Sequence, residues 1–388
     1  MSLVNETTGK TASGNVTVKG GEKFHLVATT ANMGSLKGKY AITSNFPLDF
    51  HAMLLKLESS QDIGFGYYTD SADLQITVDW PEEAVIEITK KDGDTGKNLA
   101  GAVYGVYSDN ACTKLIVKMP PTDSNGSSRV TLTKTQDTVY LKEITAPEGY
   151  VVQASSYGVK LVVGSTTKQT VTDKEQKGNL TVYKEGEVFV GAVSDENGTS
   201  FQYEKRRQKG AVYNVYAAED IVTAGGKTVY KKGAEVAKNL ITGENGSVTV
   251  KNLPLGSYNV TEAQAPENFY NAKETKKVTI SYAGQTAEAA FSETTFTNDR
   301  QKAVVQVIKK DKDTENTLSG GHFALFAAQD MKTVDGKAAV KKDALIETAI
   351  TGTDGKAAFK ADLPVGFSYY VKEVQAPAGY VRNEKDTY

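Results

Sequence analysis

One phrase occurs three times in this chain, and every copy carries a glutamate at the same point. The copies read Val139-Tyr-Leu-Lys-Glu-Ile-Thr-Ala-Pro-Glu-Gly-Tyr, Tyr258-Asn-Val-Thr-Glu-Ala-Gln-Ala-Pro-Glu-Asn-Phe and Tyr369-Tyr-Val-Lys-Glu-Val-Gln-Ala-Pro-Ala-Gly-Tyr. The glutamates are Glu143, Glu262 and Glu373. In a strand, successive side chains face opposite ways, so Leu141 shares a face with Glu143 while Tyr140 takes the other. A carboxylate on the apolar face of a strand is costly unless a neutral or cationic group meets it. The same cost at the same point three times argues for chemistry.

The repeat extends upstream. Each glutamate phrase is preceded by a second one: Leu99-Ala-Gly-Ala-Val-Tyr-Gly-Val-Tyr, Gln208-Lys-Gly-Ala-Val-Tyr-Asn-Val-Tyr and Leu318-Ser-Gly-Gly-His-Phe-Ala-Leu-Phe. Between the two phrases stand Asn125-Gly126, Asn245-Gly246 and Asp354-Gly355, strong hairpin signals because both residue types tolerate positive φ. The glutamates are 119 and 111 residues apart, too long a period for a solenoid and suited to a string of independent domains. Short alternating runs such as Asp73-Leu-Gln-Ile-Thr-Val-Asp-Trp and Ser247-Val-Thr-Val-Lys recur, and no long stretch keeps a helical period. The expected class is all-β.

Charge and composition exclude several partners. A net charge of −2 gives no reason to expect nucleic acid or an anionic membrane surface. No apolar run is long enough to span a bilayer. The single cysteine, Cys112, rules out an intramolecular disulfide and reads as a small buried or half-buried thiol; His25, His51 and His322 are too scattered to activate it. No metal or cofactor motif is present. Asp92-Gly-Asp-Thr-Gly and Asp311-Lys-Asp-Thr have a calcium-loop look but lack the acidic closing ligand, so tight turns are expected. Met1-Ser-Leu reads as an expression scar, no secretory signal precedes the first runs, and the chain is expected to be a piece of a larger protein.

The two phrases, together with a lysine-bearing strand ahead of them, resemble the Cna B-type (SpaA-like) repeat domains of Gram-positive surface adhesins and pilins. The resemblance covers about residues 85 to 388 as three tandem copies. It implies immunoglobulin-like β-sandwich domains in an elongated rod, each closed by an isopeptide bond from a first-strand lysine to a last-strand Asn or Asp. A glutamate of a middle strand promotes the bond. The lysines fall on Lys90 in Val85-Ile-Glu-Ile-Thr-Lys-Lys-Asp, Lys184 in Leu180-Thr-Val-Tyr-Lys-Glu-Gly and Lys309 in Val305-Gln-Val-Ile-Lys-Lys-Asp. A lone lysine ordinarily snorkels to solvent. Ile86 and Ile88, Leu180 and Val182, and Val305 and Val307 share the faces of these three, which argues that they point inward.

The acceptors implied by the resemblance are Asp173, in Gln169-Thr-Val-Thr-Asp-Lys, and Asn298, in Thr294-Thr-Phe-Thr-Asn-Asp. Aspartate would release water and asparagine ammonia. In the third copy only Val381 to Tyr388 follow the glutamate phrase. Lys309 therefore has no acceptor in this chain, Asn383 and Asp386 come too soon to serve, and the repeat is expected to be the weak one. The catalytic logic follows from burial: an apolar core favours the uncharged amine and the uncharged acid, so the amine can attack and the acid can shuttle a proton.

The expected organisation is a β-rich module at 1–84, Cna B-type domains at 85–176 and 177–301, and a third at 302–388 lacking its last strand. Residues 187–208, with Glu204-Lys-Arg-Arg-Gln, form an insertion in the second, expected to be a charged, solvated excursion. Lys19 is a further candidate bonding lysine, weighed against an ordinary solvated residue. Trp80-Pro81 marks a short linker. The expected function is a cell-surface structural stalk or pilin-like adhesin segment, stabilised by bonds it forms itself and not an enzyme. The alternative is an adhesin module that engages a host or extracellular-matrix protein through residues 1–84 or the loops. Other pilin subunits, and a sortase acting on the full-length protein, are the further partners implied. The implied location is extracellular, with the full-length protein anchored to the cell wall.

Overall fold

Every regular element among the described residues is a β-strand. The computed structural model describes residues 83–387 in full. Before them it describes the backbone of Ser2–Asn5, Lys10–Ala12, Val16–Val18, Lys23–Ala28, Ala41–Ser44, Gln61–Tyr67 and Leu74–Asp79. Lys19 and Trp80-Pro81 lie outside the described residues. The seven early strands pair antiparallel, with Ser2–Asn5 between Lys10–Ala12 and Lys23–Ala28, and Leu74–Asp79 between Val16–Val18 and Ala41–Ser44. The chain divides into two compact units, Met1–Glu175 and Gln176–Tyr388. No helix among the described residues is long and apolar enough to cross a membrane.

The first repeat is two sheets facing one core. One sheet runs Leu115–Lys118, Val103–Tyr107, Thr138–Thr145, Ser156–Lys160. The other places Glu83–Asp92 between Ser127–Thr133 and Thr166–Asp173. The opening strand alternates without a break, burying Ala84, Ile86, Ile88, Lys90 and Asp92. Its closing partner, Thr166–Asp173, runs parallel to it, with Lys90 opposite Val171 and Asp92 opposite Asp173. Ile86, Ile88, Tyr104, Val106 and Leu141 fill the space between the sheets.

The second repeat reuses this plan on a much longer opening strand, Lys177–Asp195. Its first half pairs antiparallel with Ser247–Pro254 and parallel with Ala289–Asn298, so that Lys184 faces Phe296 and Gly186 faces Asn298. The facing sheet runs Glu235–Ile241, Val212–Ala217, Gly256–Gln264, Thr275–Ile280.

The second half of that strand corrects the reading of 187–208 as a solvated excursion. Residues from Glu185 to Asp195 pair with Gly198–Arg207 in a hairpin, and one face of it joins the third repeat's core. Thr199, Phe201 and Tyr203 turn inward on alternate positions while Ser200, Gln202 and Glu204 face solvent. Phe189 meets Phe201 and Phe367 edge-on, with ring centroids 5.7 and 5.9 Å away. Thr199 Oγ1 donates to the Leu345 carbonyl at 2.7 Å and Tyr203 Oη to that of Asp362 at 2.5 Å. Arg300 lies 3.5 Å above the Tyr203 ring and pairs with Asp362. The charges in 204–208 cluster at one end of the second strand, and Arg206 pairs across to Asp335 at 2.7 Å.

The third repeat has Leu345–Ile350, His322–Ala327 and Tyr369–Gln375 in one sheet. Opposite it, Lys302–Ala303 pairs with Leu363–Pro364 and Gln306–Ile308 with Lys356–Ala358. Thr387 bridges Val371, the place Tyr157 takes against Leu141 in the first repeat. Among the described residues nothing pairs parallel to Gln306–Ile308, and Val304 and Ile308 are exposed.

Candidate functional site

Each lysine is fixed first through its own backbone. Lys90, Lys184 and Lys309 donate their N–H to the carbonyls of Gly126, Gly246 and Gly355 at 2.7, 2.9 and 2.8 Å. Their carbonyls accept from Leu99, Gln208 and Leu318, in each case at 2.9 Å. The three glycines, second residues of the hairpin signals, have φ near +70° (70, 67 and 70). A side chain at Gly126 would also run into the Lys90 carbonyl, so glycine is needed there twice over.

In the first repeat the side chains converge in a dry core. Lys90, Glu143 and Asp173 side chains are 0% exposed. Lys90 Nζ lies 2.7 Å from Glu143 Oε1, hydrogen-bonds Asp173 Oδ1, and donates to Tyr104 Oη at 2.8 Å. Glu143 is held from behind by the Gln153 N–H, 2.9 Å from Oε2. Burial pushes the Asp173 carboxyl up to about 7, although the neighbouring Lys90 works against it. That carboxyl group can therefore carry a proton near neutral pH.

The second repeat brings together Lys184, Glu262 and Asn298. Lys184 Nζ is 3.1 Å from Glu262 Oε1, and both side chains are 0% exposed. Asn298 Nδ2 donates to Glu262 Oε2 at 2.8 Å, so one carboxyl group touches both the amine and the amide. Burial lowers the Lys184 pKa, opposed by the Glu262 charge. Asn298 sits two residues beyond the register partner of its lysine, the offset that Asp173 has from Lys90.

The third repeat pairs Lys309 with Glu373, at 2.8 Å, but leaves the lysine side chain 18% exposed. Asn383 reaches Glu373 through its backbone N–H at 2.7 Å, ten residues on, as Gln153 does to Glu143. The Asp386 carboxylate pairs instead with Lys372 at 3.3 Å.

Two features escaped the sequence reading. The aromatic residue that closes each glutamate phrase covers the position two beyond the lysine. Tyr150 donates to Asp92 at 2.7 Å, and Phe269 packs on Gly186, where a side chain would collide with the ring. A hydrogen bond from Tyr380 likewise helps hold Asp311 down to about 2, after the larger effect of the Thr314 N–H. The signal was present, an aromatic seven residues after the glutamate in every copy, but its partner is a strand away. The second is the role of Tyr104. The turns at Asp92 and Asp311 are tight ones, each carboxylate accepting from backbone N–H groups two and three residues on. Cys112 is half-buried in a turn tied to Asp109.

The profile of the SpaA prealbumin-like fold domain matches residues 84–176, 197–295 and 303–388. The chain belongs to this family. The match to the second SpaA repeat begins inside the hairpin and ends before Asn298, so Lys184 and Asn298 themselves lie outside it, on strands that the structure pairs in parallel. Residues 1–40 match the TED associated beta sandwich domain. No curated protein matches the chain. Among solved structures, the Bacillus anthracis TIE protein is 21% identical with a TM-score of 0.51; the likeness covers 99% of this chain and 62% of that one. BcpA, the major pilin subunit of Bacillus cereus, is 16% identical over 79% of this chain and 91% of its own, with a TM-score of 0.30. The minor pilin GBS52 of Streptococcus agalactiae is 15% identical over 57% and 97%, with a TM-score of 0.22. The last two are pilin subunits, and the chain spans about 62% of the length of the TIE structure.

Proposed function

We propose that the chain is a load-bearing stalk segment of a Gram-positive cell-surface protein whose first two SpaA repeats each close a Lys–Asp or Lys–Asn isopeptide bond. The observation that carries this reading is the convergence of Lys90, Glu143 and Asp173, all fully buried, between an opening and a closing strand that run parallel. A cation facing two carboxyl groups in a dry core is an expensive arrangement for stability alone. It is well suited to condensation.

The steps balance as follows. A proton passes from the Lys90 ammonium to the Glu143 carboxylate, giving a neutral amine beside the protonated Asp173 acid. Nζ attacks Cγ, Glu143 gives its proton to the departing hydroxyl and takes one from the nitrogen, and water leaves as the C–N bond forms. In the second repeat Lys184 attacks Cγ of Asn298, Glu262 passes the proton to the amide nitrogen, and ammonia leaves. The fold contributes proximity, with effective molarities of ~10⁵ M or more available from such orientation. Each bond closes nearly a whole repeat into one loop, which stabilises by about 4–5 kcal/mol in the chain-entropy picture. Each domain reacts once, so there is no turnover.

On this reading the protein works outside the cell, beside other pilin or surface-protein subunits, with a sortase attaching the full-length parent to the wall. Proteolysis and tandem mass spectrometry test the chemistry. The expected products are a branched peptide joining Lys90 to Asp173 and another joining Lys184 to Asn298. Recovery of all four residues on linear peptides would contradict the proposal.

A further inference from the structure

In each repeat the residue directly opposite the glutamate, on the neighbouring strand, is aromatic, but its chemistry varies. Tyr104 faces Glu143, Tyr213 faces Glu262, and Phe323 faces Glu373. Both tyrosines are completely buried, where a hydroxyl ordinarily finds a partner. Tyr104 Oη accepts from Lys90 Nζ at 2.8 Å. In the second repeat Lys184 Nζ and Glu262 Oε1 pair at 3.1 Å, and the buried Tyr213 hydroxyl interacts with the same glutamate.

We propose that Tyr104 and Tyr213 are positioning residues of the isopeptide sites, each accepting one N–H of the lysine amine so that its lone pair is turned toward the acceptor carbonyl. The proposal rests on the function assigned above. A neutral amine has two N–H bonds and one lone pair, and it turns easily about Cε–Nζ. Two acceptors fix that rotation, and besides the oxygen of the group under attack the buried cluster offers the glutamate and the tyrosine hydroxyl. The phenol suits the task because it is uncharged: it holds the amine without favouring the ammonium, as another carboxylate would. Burial raises the pKa of both tyrosines, followed by the nearby glutamate charge, which keeps the phenols protonated. The third repeat, with Phe323, has the glutamate and no hydroxyl.

Tyr104→Phe and Tyr213→Phe delete the oxygen and keep the ring that packs the core. The full chain and both variants are made by cell-free synthesis and sampled over time across a range of pH. Branched peptides are quantified by mass spectrometry, and protease resistance reports folding in the same samples. Tyr104→Phe is expected to slow the Lys90–Asp173 link by roughly tenfold, through lost orientation, while the Lys184–Asn298 link keeps its wild-type rate. Tyr213→Phe should do the reverse. The pH dependence of the slowed link should keep its wild-type shape, since orientation and not a titrating group has been removed. An undiminished rate in the altered repeat overturns the proposal, as does equal slowing of both links with loss of protease resistance. If the wild-type chain forms no link, the functional assignment falls and this role with it; links that form at unchanged rates in the variants overturn this role alone.

Discussion

A lysine at the centre of a β-sandwich is tolerated only if something takes its charge or its proton. Lys90 and Lys184 are fully buried, and each has a glutamate carboxyl group within 3.1 Å. That glutamate is the residue to remove. Glu262→Ala should leave the second repeat folded, with Lys184 and Asn298 still on adjacent strands, but unlinked, because geometry survives while proton transfer does not. An Lys184–Asn298 link forming in that variant at the wild-type rate would assign Glu262 no part in the chemistry. The two acceptors also differ in how they answer to pH. Asp173, raised to about 7, must be protonated to lose water, so the first link should form more slowly as pH rises above that value. Asn298 does not titrate, and the lowered pKa of Lys184 exposes its amine as pH rises, so the second link should speed up with rising pH. Parallel pH profiles for the two links would contradict this assignment. The inward placement of the glutamates and lysines was legible in the sequence because a repeated cost at a fixed phase points inward, whereas Asp173 and Asn298 came from the family resemblance. Tyr104 was not legible, since a tyrosine on a buried face reads as core until its hydroxyl is seen to have a partner.

Strands explain what the pattern caught and what it missed. Unbroken alternation in Glu83–Asp92 and in Thr138–Val139-Tyr140-Leu141-Lys142-Glu143 fixed which side chains face the core. The Asn-Gly and Asp-Gly turns located the point at which a glycine must sit against the lysine backbone. The hairpin at 187–207 was misread because its alternation is diluted by surface charge, and because the surface that makes Phe189, Phe201 and Tyr203 useful lies more than a hundred residues downstream in the third repeat. It supplies apolar cover to a sandwich with an uncovered edge. Phe189→Ala should therefore destabilise the third repeat rather than the second, by about 3 kcal/mol, the low end for a buried phenylalanine that keeps some exposure. Limited proteolysis is the check: cleavage within 303–387 should accelerate while the second repeat resists as before. Faster cleavage within 208–298 instead would mean that the hairpin serves its own repeat.

For the molecule as a whole, three repeats of one plan differ in how they are closed. Two hold an Asp or Asn two residues past the register partner of the lysine, and the third leaves its lysine part-exposed beside a strand paired along one edge only among the described residues. Edges of that kind invite pairing with another chain, and they yield first to protease. Residues 302–388 of the wild-type protein should be cut before either upstream repeat, and survival of the Glu373 region beyond both would contradict the ranking. The central claim concerns covalent closure, and intact mass tests it most directly. With one water lost at Lys90–Asp173 and one ammonia at Lys184–Asn298, the purified chain should weigh about 35 Da less than its sequence, a change produced by condensation alone. A deficit of about 18 or about 17 Da would show that one repeat alone had closed. A mass equal to that of the unmodified sequence would contradict the account.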